Sequence, residues 1–159
     1  AYVEPVNDNR DPGFTVKAEL HDNTLSSGDA LSFALTPTQD SYLYAFNLMA
    51  DHSVLLVFPN DYMPDNHISA GETVQIPEPN MRGYVRFRVE TLPGQELTTE
   101  SIYVVCTKDI VTVADDLLRI GTGMPASGDS KSFIRLQRWL TNIPLDRRVE
   151  KNLIYHVAE

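Results

Sequence analysis

Residues 41–58, SYLYAFNLMADHSVLLVF, decide the fold. Along Ser41–Met49 the side chains alternate, with Tyr42, Tyr44 and Phe46 on one face and Leu43 and Ala45 on the other. Both faces are apolar, so this strand needs cover on both sides. Asp51-His52 supplies a short turn. Ser53–Phe58 is then a continuous apolar run of strand length, the pattern of a central strand.

The same reading extends to either side. Phe14–His21 places Phe14, Val16, Ala18 and Leu20 on one face, and Ser26-Ser27-Gly28-Asp29 reads as a turn. Ala30–Leu35 brings Leu31, Phe33 and Leu35 together, and Pro37 ends it because proline cannot donate to a ladder. Past a polar loop at Pro59–Gly71, Thr73–Pro77 is a short strand stopped by Pro77 and Pro79. Tyr84–Glu90 has the cleanest alternation, with Val85, Phe87 and Val89 inward and Arg86, Arg88 and Glu90 outward. Pro93-Gly94 marks a turn, and Ser101–Cys106 is the seventh strand. Seven short strands divided by turn chemistry, with no helical segment between them, predict an antiparallel β-sandwich or barrel.

Beyond Cys106 the period changes. Val113–Ile120 has helical spacing and Gly121 and Gly123 stop it; Asp115 and Asp116 fall on different faces of that helix. Residues 121–130 read as a flexible loop. Ser132–Thr141 is a stronger helix, with Phe133, Leu136, Trp139 and Leu140 along one side and Ser130 or Ser132 as its N-cap. Leu153–Val157 is a terminal strand, whose free edge would be a natural docking place for a partner strand. Residues 1–13, rich in Pro, Asn and Asp, read as a linker or N-terminal extension, and 14–159 as the domain. The Asn7–Asp11 cluster fails as a calcium loop, because Pro12 interrupts it and Ala18 stands where the twelfth-position Glu belongs.

Composition narrows the function. With 159 residues, 42% hydrophobic and 22% charged, the chain has the size and balance of one domain with a real core. No apolar run approaches the roughly 18 residues of a membrane helix, so this segment is not expected to insert into a membrane. A net charge of −9 argues against nucleic acid as a partner. The acidity is uneven: residues 1–80 hold twelve acids and two bases, a field that would steer a basic partner or simply keep the surface solvated. The chain starts at Ala1 without a leader-like segment and reads as a mature fragment or one domain of a longer protein.

No local pattern prescribes catalysis or a cofactor. His21, His52, His67 and His156 show no metal-ligand spacing, and there is no HExxH. There is no Gly-x-Ser-x-Gly elbow, and Gly121-Thr122-Gly123 follows a helix instead of opening one. Cys106, the single cysteine, ends an apolar strand and reads as a small core hydrophobe; a Cys–His pair would need His21 or His156 beside it. Arg86 and Arg88, with Arg82 nearby, form a basic row expected to pair across strands with acids such as Glu72 or Glu100. The candidate recognition site is the Pro59–Gly71 loop, with Asp61, Tyr62, Met63, Asp65, Asn66 and His67; the same residues also read as a solvated turn held by Asn and Asp side chains bonding to nearby backbone. Its Tyr62-Met63 pair would be exposed to seat a partner, and oxygens of Asp61, Asp65 and Asn66 offer the alternative of a calcium-stabilised module. A small hydrolase gathered from distant segments is the remaining alternative.

The order of motifs also resembles a bacterial domain family of unknown function. Tyr42-Leu43-Tyr44-Ala45-Phe46-Asn47 precedes Leu55-Leu56-Val57-Phe58-Pro59-Asn60; Ala70-Gly71, Ile76-Pro77, Leu92-Pro93-Gly94-Gln95-Glu96 and Tyr103-Val104-Val105 follow. The tail from Arg138-Trp139-Leu140 through Ile143-Pro144 to Tyr155-His156-Val157 is similar to the family's ending, so the resemblance covers roughly 25–159. It implies an immunoglobulin-like sandwich, placed late in longer bacterial proteins that are exported, lipid-anchored or fused to signalling or peptidase-like modules. It carries no agreed catalytic residues and no cofactor. The insert at 121–130 departs from it. The expectation is therefore a non-catalytic recognition or assembly module, periplasmic or envelope-associated, with a protein partner.

Overall fold

The computed structural model describes residues 1–2, 9–113, 118–119 and 131–159. Its strands are β1 (Val16–Leu20), β2 (Thr24–Ser26), β3 (Ala30–Leu31), β4 (Phe33–Pro37), β5 (Ser41–Leu48), β6 (Val54–Phe58), β7 (His67–Ile68), β8 (Val74–Ile76), β9 (Phe87–Arg88), β10 (Leu97–Thr107), β11 (Leu118–Arg119) and β12 (Arg148–Ala158); α1 is Ser132–Thr141. The fold is mainly β, with antiparallel sheets and, among the described residues, one short α-helix late in the chain.

Three sheets form. The largest runs β11-β6-β5-β10-β12-β2, with β7 pairing beside β5; a second runs β1-β4-β8; β3 and β9 make a two-stranded ribbon. The second sheet packs on one face of the first. Val16, Ala18, Phe33, Leu35 and Ile76 meet Leu43, Ala45, Ile102, Val104 and Tyr155 in one core. The opposite face of the large sheet carries Tyr44, Phe46, Leu56 and Val105, which α1 covers with Leu136 and Trp139, and Ile143 behind them. Both faces of β5 are thus buried, as the double apolar alternation of Ser41–Met49 requires, and each of these large side chains contributes about 1.5–3 kcal/mol by leaving water.

The Asp51-His52 turn is as read, with His52 at φ +69° and its N–H donating to Met49 O at 3.0 Å. Gly71 and Gly94 also adopt positive φ, +77° and +78°, a region that a side chain strains and glycine does not. The helix over Ser132–Thr141 forms with the expected bounds, but its N-cap is Lys131. Ser132 does different work: its Oγ accepts the N–H of Val54 at 2.8 Å and ties the helix to β6.

Several expectations need correction. Of the predicted strand Tyr84–Glu90 only Phe87–Arg88 pairs, with β3, although Val85, Phe87 and Val89 are buried as expected. The turn at residues 26–29 forms, with Asp29 N–H donating to Ser26 O at 2.9 Å, and the unassigned Thr24 and Leu25 before it join Ser26 as a strand of the large sheet. Of the predicted helix Val113–Ile120, residues 114–117 and 120 lie outside the described residues, as does the 121–130 loop; Leu118–Arg119 form a strand parallel to β6. A local helical period yields there to the unpaired backbone that β6 offers on its far side. The terminal strand is longer than read and is not a free edge at Val157. Leu97–Thr107 of β10 pairs with it throughout on one side, and β2 pairs in parallel with His156–Ala158 on the other.

Candidate functional site

The loop between β6 and β8 is built on two asparagines. Asn60, nearly buried, donates from Nδ2 to Val57 O at 2.7 Å. Its Oδ1 accepts the N–H groups of Tyr62 and Met63, each at 2.9 Å, as Asx turns do. Asn66 donates from Nδ2 to Leu43 O at 2.9 Å, and its own carbonyl accepts the N–H of Leu43 at 2.9 Å. These bonds pin both halves of the loop to strand backbone.

The candidate residues divide accordingly. Met63 is 6% exposed and belongs to the core, so the expected exposed Tyr62-Met63 pair does not form; the turn on Asn60 aims the thioether inward. Asn66 is a brace. Asp61, Tyr62, Asp65 and His67 face solvent. Asp65 Oδ1 accepts the N–H of His67 at 3.1 Å. The His67 ring stacks on Tyr42, with centroids 4.6 Å apart. Hence Asp61, Asp65 and Asn66 have different employments, and among the described residues no group of three or more His, Cys, Asp or Glu side chains gathers as a metal site.

Asp65 and His67 also line a groove of about 360 Å³ with Glu72, Gln75 and Glu78. One wall is the outer edge of β8. No local pattern signals this neighbourhood, because Asp65 and Glu78 are brought together by β7 pairing with β5 in one sheet and β8 pairing with β4 in another.

The other candidate groups are placed apart. Cys106 is fully buried and burial alone pushes its thiol up to about 12, whereas His21 and His156 are exposed; the nucleophile of a thiol pair would be protonated and shielded. His156 Nδ1 is 2.9 Å from Thr99 Oγ1. The expected cross-strand pairing of the arginine row is not made. Arg86 Nε donates to Arg82 O at 3.3 Å and Arg82 Nε to Pro77 O at 3.3 Å, while Glu100 is turned into the core. There its Oε1 accepts the Tyr155 hydroxyl and its Oε2 the N–H of Ala50, both at 2.9 Å. Asn47 Nδ2 donates to the same Tyr155 oxygen at 2.9 Å. Burial and the neighbouring Glu100 push the Tyr155 phenol far above its usual range.

The fold and this site define a β-rich domain with a braced surface loop. The chain belongs to the family described as Domain of unknown function (DUF4384), whose model matches residues 24–109. The matched stretch spans β2 to β10 and includes the whole loop; α1 and β12 lie beyond it. No curated protein and no solved structure matches the chain. Among the described residues no helix is long and apolar enough to cross a membrane.

Proposed function

We propose that this domain is a non-catalytic recognition or assembly module of a bacterial exported or envelope-associated protein, an immunoglobulin-like sandwich that meets a protein partner through the Pro59–Gly71 loop. The observation that carries the reading is the bracing of that loop. Asn60 and Asn66 are spent on backbone bonds and Met63 on the core, which leaves Asp61, Tyr62, Asp65 and His67 presented on a fixed frame. A preordered loop loses less entropy on binding, and an aromatic beside carboxylates suits a protein surface. Burial of Cys106 and the internal commitment of Glu100 support a role without chemistry of their own.

The test is capture from a bacterial envelope extract by the domain and by Tyr62→Ala. A several-fold loss of capture with an unchanged melting temperature is the expected result. Equal capture by both proteins would remove the loop from the contact.

A further inference from the structure

We propose that the outer edge of β8 takes a lysine- or arginine-bearing extended peptide as an added strand, with the basic side chains lying against Asp65, Glu72 and Glu78. This rests on the recognition reading and names the chemistry of the partner.

The argument begins with the direction of backbone groups. In the second sheet, Thr38 N–H donates to Thr15 O and His21 N–H to Ser32 O, so the even-numbered residues of this stretch direct their backbone groups at β1. The odd ones therefore point to β8, and Pro37 O indeed accepts the N–H of Gly71 at 2.8 Å. The register pairs Phe33 with Ile76 and Leu35 with Val74. Alternation in an antiparallel ladder then turns the N–H and C=O of Gln75 outward, away from β4. β8 ends its sheet, so among the described residues no strand meets them. Pro77 O, just past the strand, is occupied by Arg82 Nε, which leaves Gln75 as the open position of this edge.

Charge selects the occupant. Asp65, Glu72 and Glu78 line the groove beside this edge and all three are exposed, with no lysine or arginine among its described lining residues. The guanidinium of Arg82 is held at the end of the strand by Pro77 O and by Gln75 Oε1 at 3.4 Å. Period 2 in an added strand puts alternate side chains on one face, so a peptide with a base at every second position satisfies edge and carboxylates together.

The probe is a fluorescent octapeptide of alternating lysine and threonine, with an alternating glutamate and threonine peptide as counterpart, read by anisotropy on the whole domain. The lysine peptide is expected to bind at low salt and to weaken about tenfold or more as salt screens the groove, while the glutamate peptide stays unbound. Glu72→Gln with Glu78→Gln should weaken binding about three- to tenfold. Gln75→Pro deletes the outward N–H without touching the β4 ladder and should weaken it about tenfold; Gln75→Ala, which keeps the backbone, should leave it within about twofold. Amide exchange at Gln75 in the unaltered domain should slow when peptide is bound, a readout independent of whether the proline variant folds. The inference is overturned if the lysine peptide fails to bind, if a folded Gln75→Pro binds as well as the parent, or if Gln75 exchange is unmoved. In each of those cases a Tyr62-dependent capture from envelope extract would leave the recognition reading standing, and its absence would sink both.

Discussion

Tyr155 shows how a single side chain can carry a core's polar bookkeeping. Its hydroxyl donates to Glu100 Oε1 and accepts from Asn47 Nδ2, both at 2.9 Å, at a position with no solvent exposure. Glu100 would otherwise be a buried carboxylate with one oxygen unserved. Removing that hydroxyl alone leaves the ring volume intact, takes the donor from Glu100 Oε1 and leaves Asn47 Nδ2 with Ser101 O, at 3.0 Å, as its remaining acceptor. Tyr155→Phe is therefore expected to destabilise by about 1–3 kcal/mol in chemical denaturation, more than a hydrogen bond's net worth of about 1 kcal/mol, because a buried carboxylate oxygen loses its donor. Sequence patterning places Tyr155 in a strand but does not pair it with Glu100. The register that sets them opposite, Glu100 against Tyr155, joins segments 55 residues apart. The arginine row lacks Glu100 as a partner for the same reason: a cross-strand pair needs that carboxylate at the surface, and the register sets it against Tyr155.

At the scale of elements, α1 is the piece whose local signal and tertiary duty agree best. Its apolar stripe predicts the bounds Ser132–Thr141, and the helix lays that stripe on the aromatic face of β5. Trp139 sits edge-on to Tyr44 and Phe46, at 5.2 and 5.4 Å between centroids, and donates from Nε1 to Thr112 O at 3.0 Å. Trp139→Ala is expected to cost about 3–5 kcal/mol in thermal or chemical unfolding, through lost area, lost edge-to-face contact and a cavity over the sheet. The short strands behave in the opposite way. β2, β7 and β11 hold two or three residues each and carry no period of their own; they exist because longer neighbours offer unpaired backbone.

Across the whole molecule, the start of the chain is strapped to the far end of the large sheet. Arg10 pairs with Glu150, which also holds Arg148, and Asp11 pairs with Lys108 at 2.5 Å while Gln39 Nε2 donates to it at 3.2 Å. The Lys108 ammonium also stands over the Phe14 ring, 5.4 Å from its centroid. The hydrogen bond from Lys108, with those from Gly13 N–H and Gln39, lowers the Asp11 carboxyl to about 2, from 3.8. A folded-state value below the unfolded one contributes stability above about pH 3.8 and loses it as pH falls toward about 2. The difference in melting temperature between the parent and Asp11→Asn should thus be constant between about pH 5 and 7 and close between about pH 4 and 2. A gap that persists at pH 2 would assign the strap to something other than this carboxylate.

Which face of each strand turns inward was settled by the sequence itself, since alternation is a local property and needs only the chain's own period. So were the helix under Trp139, the turn at Asp51-His52 and the braced loop as a place of interest. Tertiary structure alone decided which strand lies beside which, that β12 is enclosed at Val157 while β8 is left open, that Met63 goes inside, and that Asp65, Glu72 and Glu78 share one groove. Those outcomes depend on pairing between segments distant along the chain. The energy of such pairing resides in backbone hydrogen bonds common to every residue, so the side-chain pattern of any one strand leaves its neighbour open.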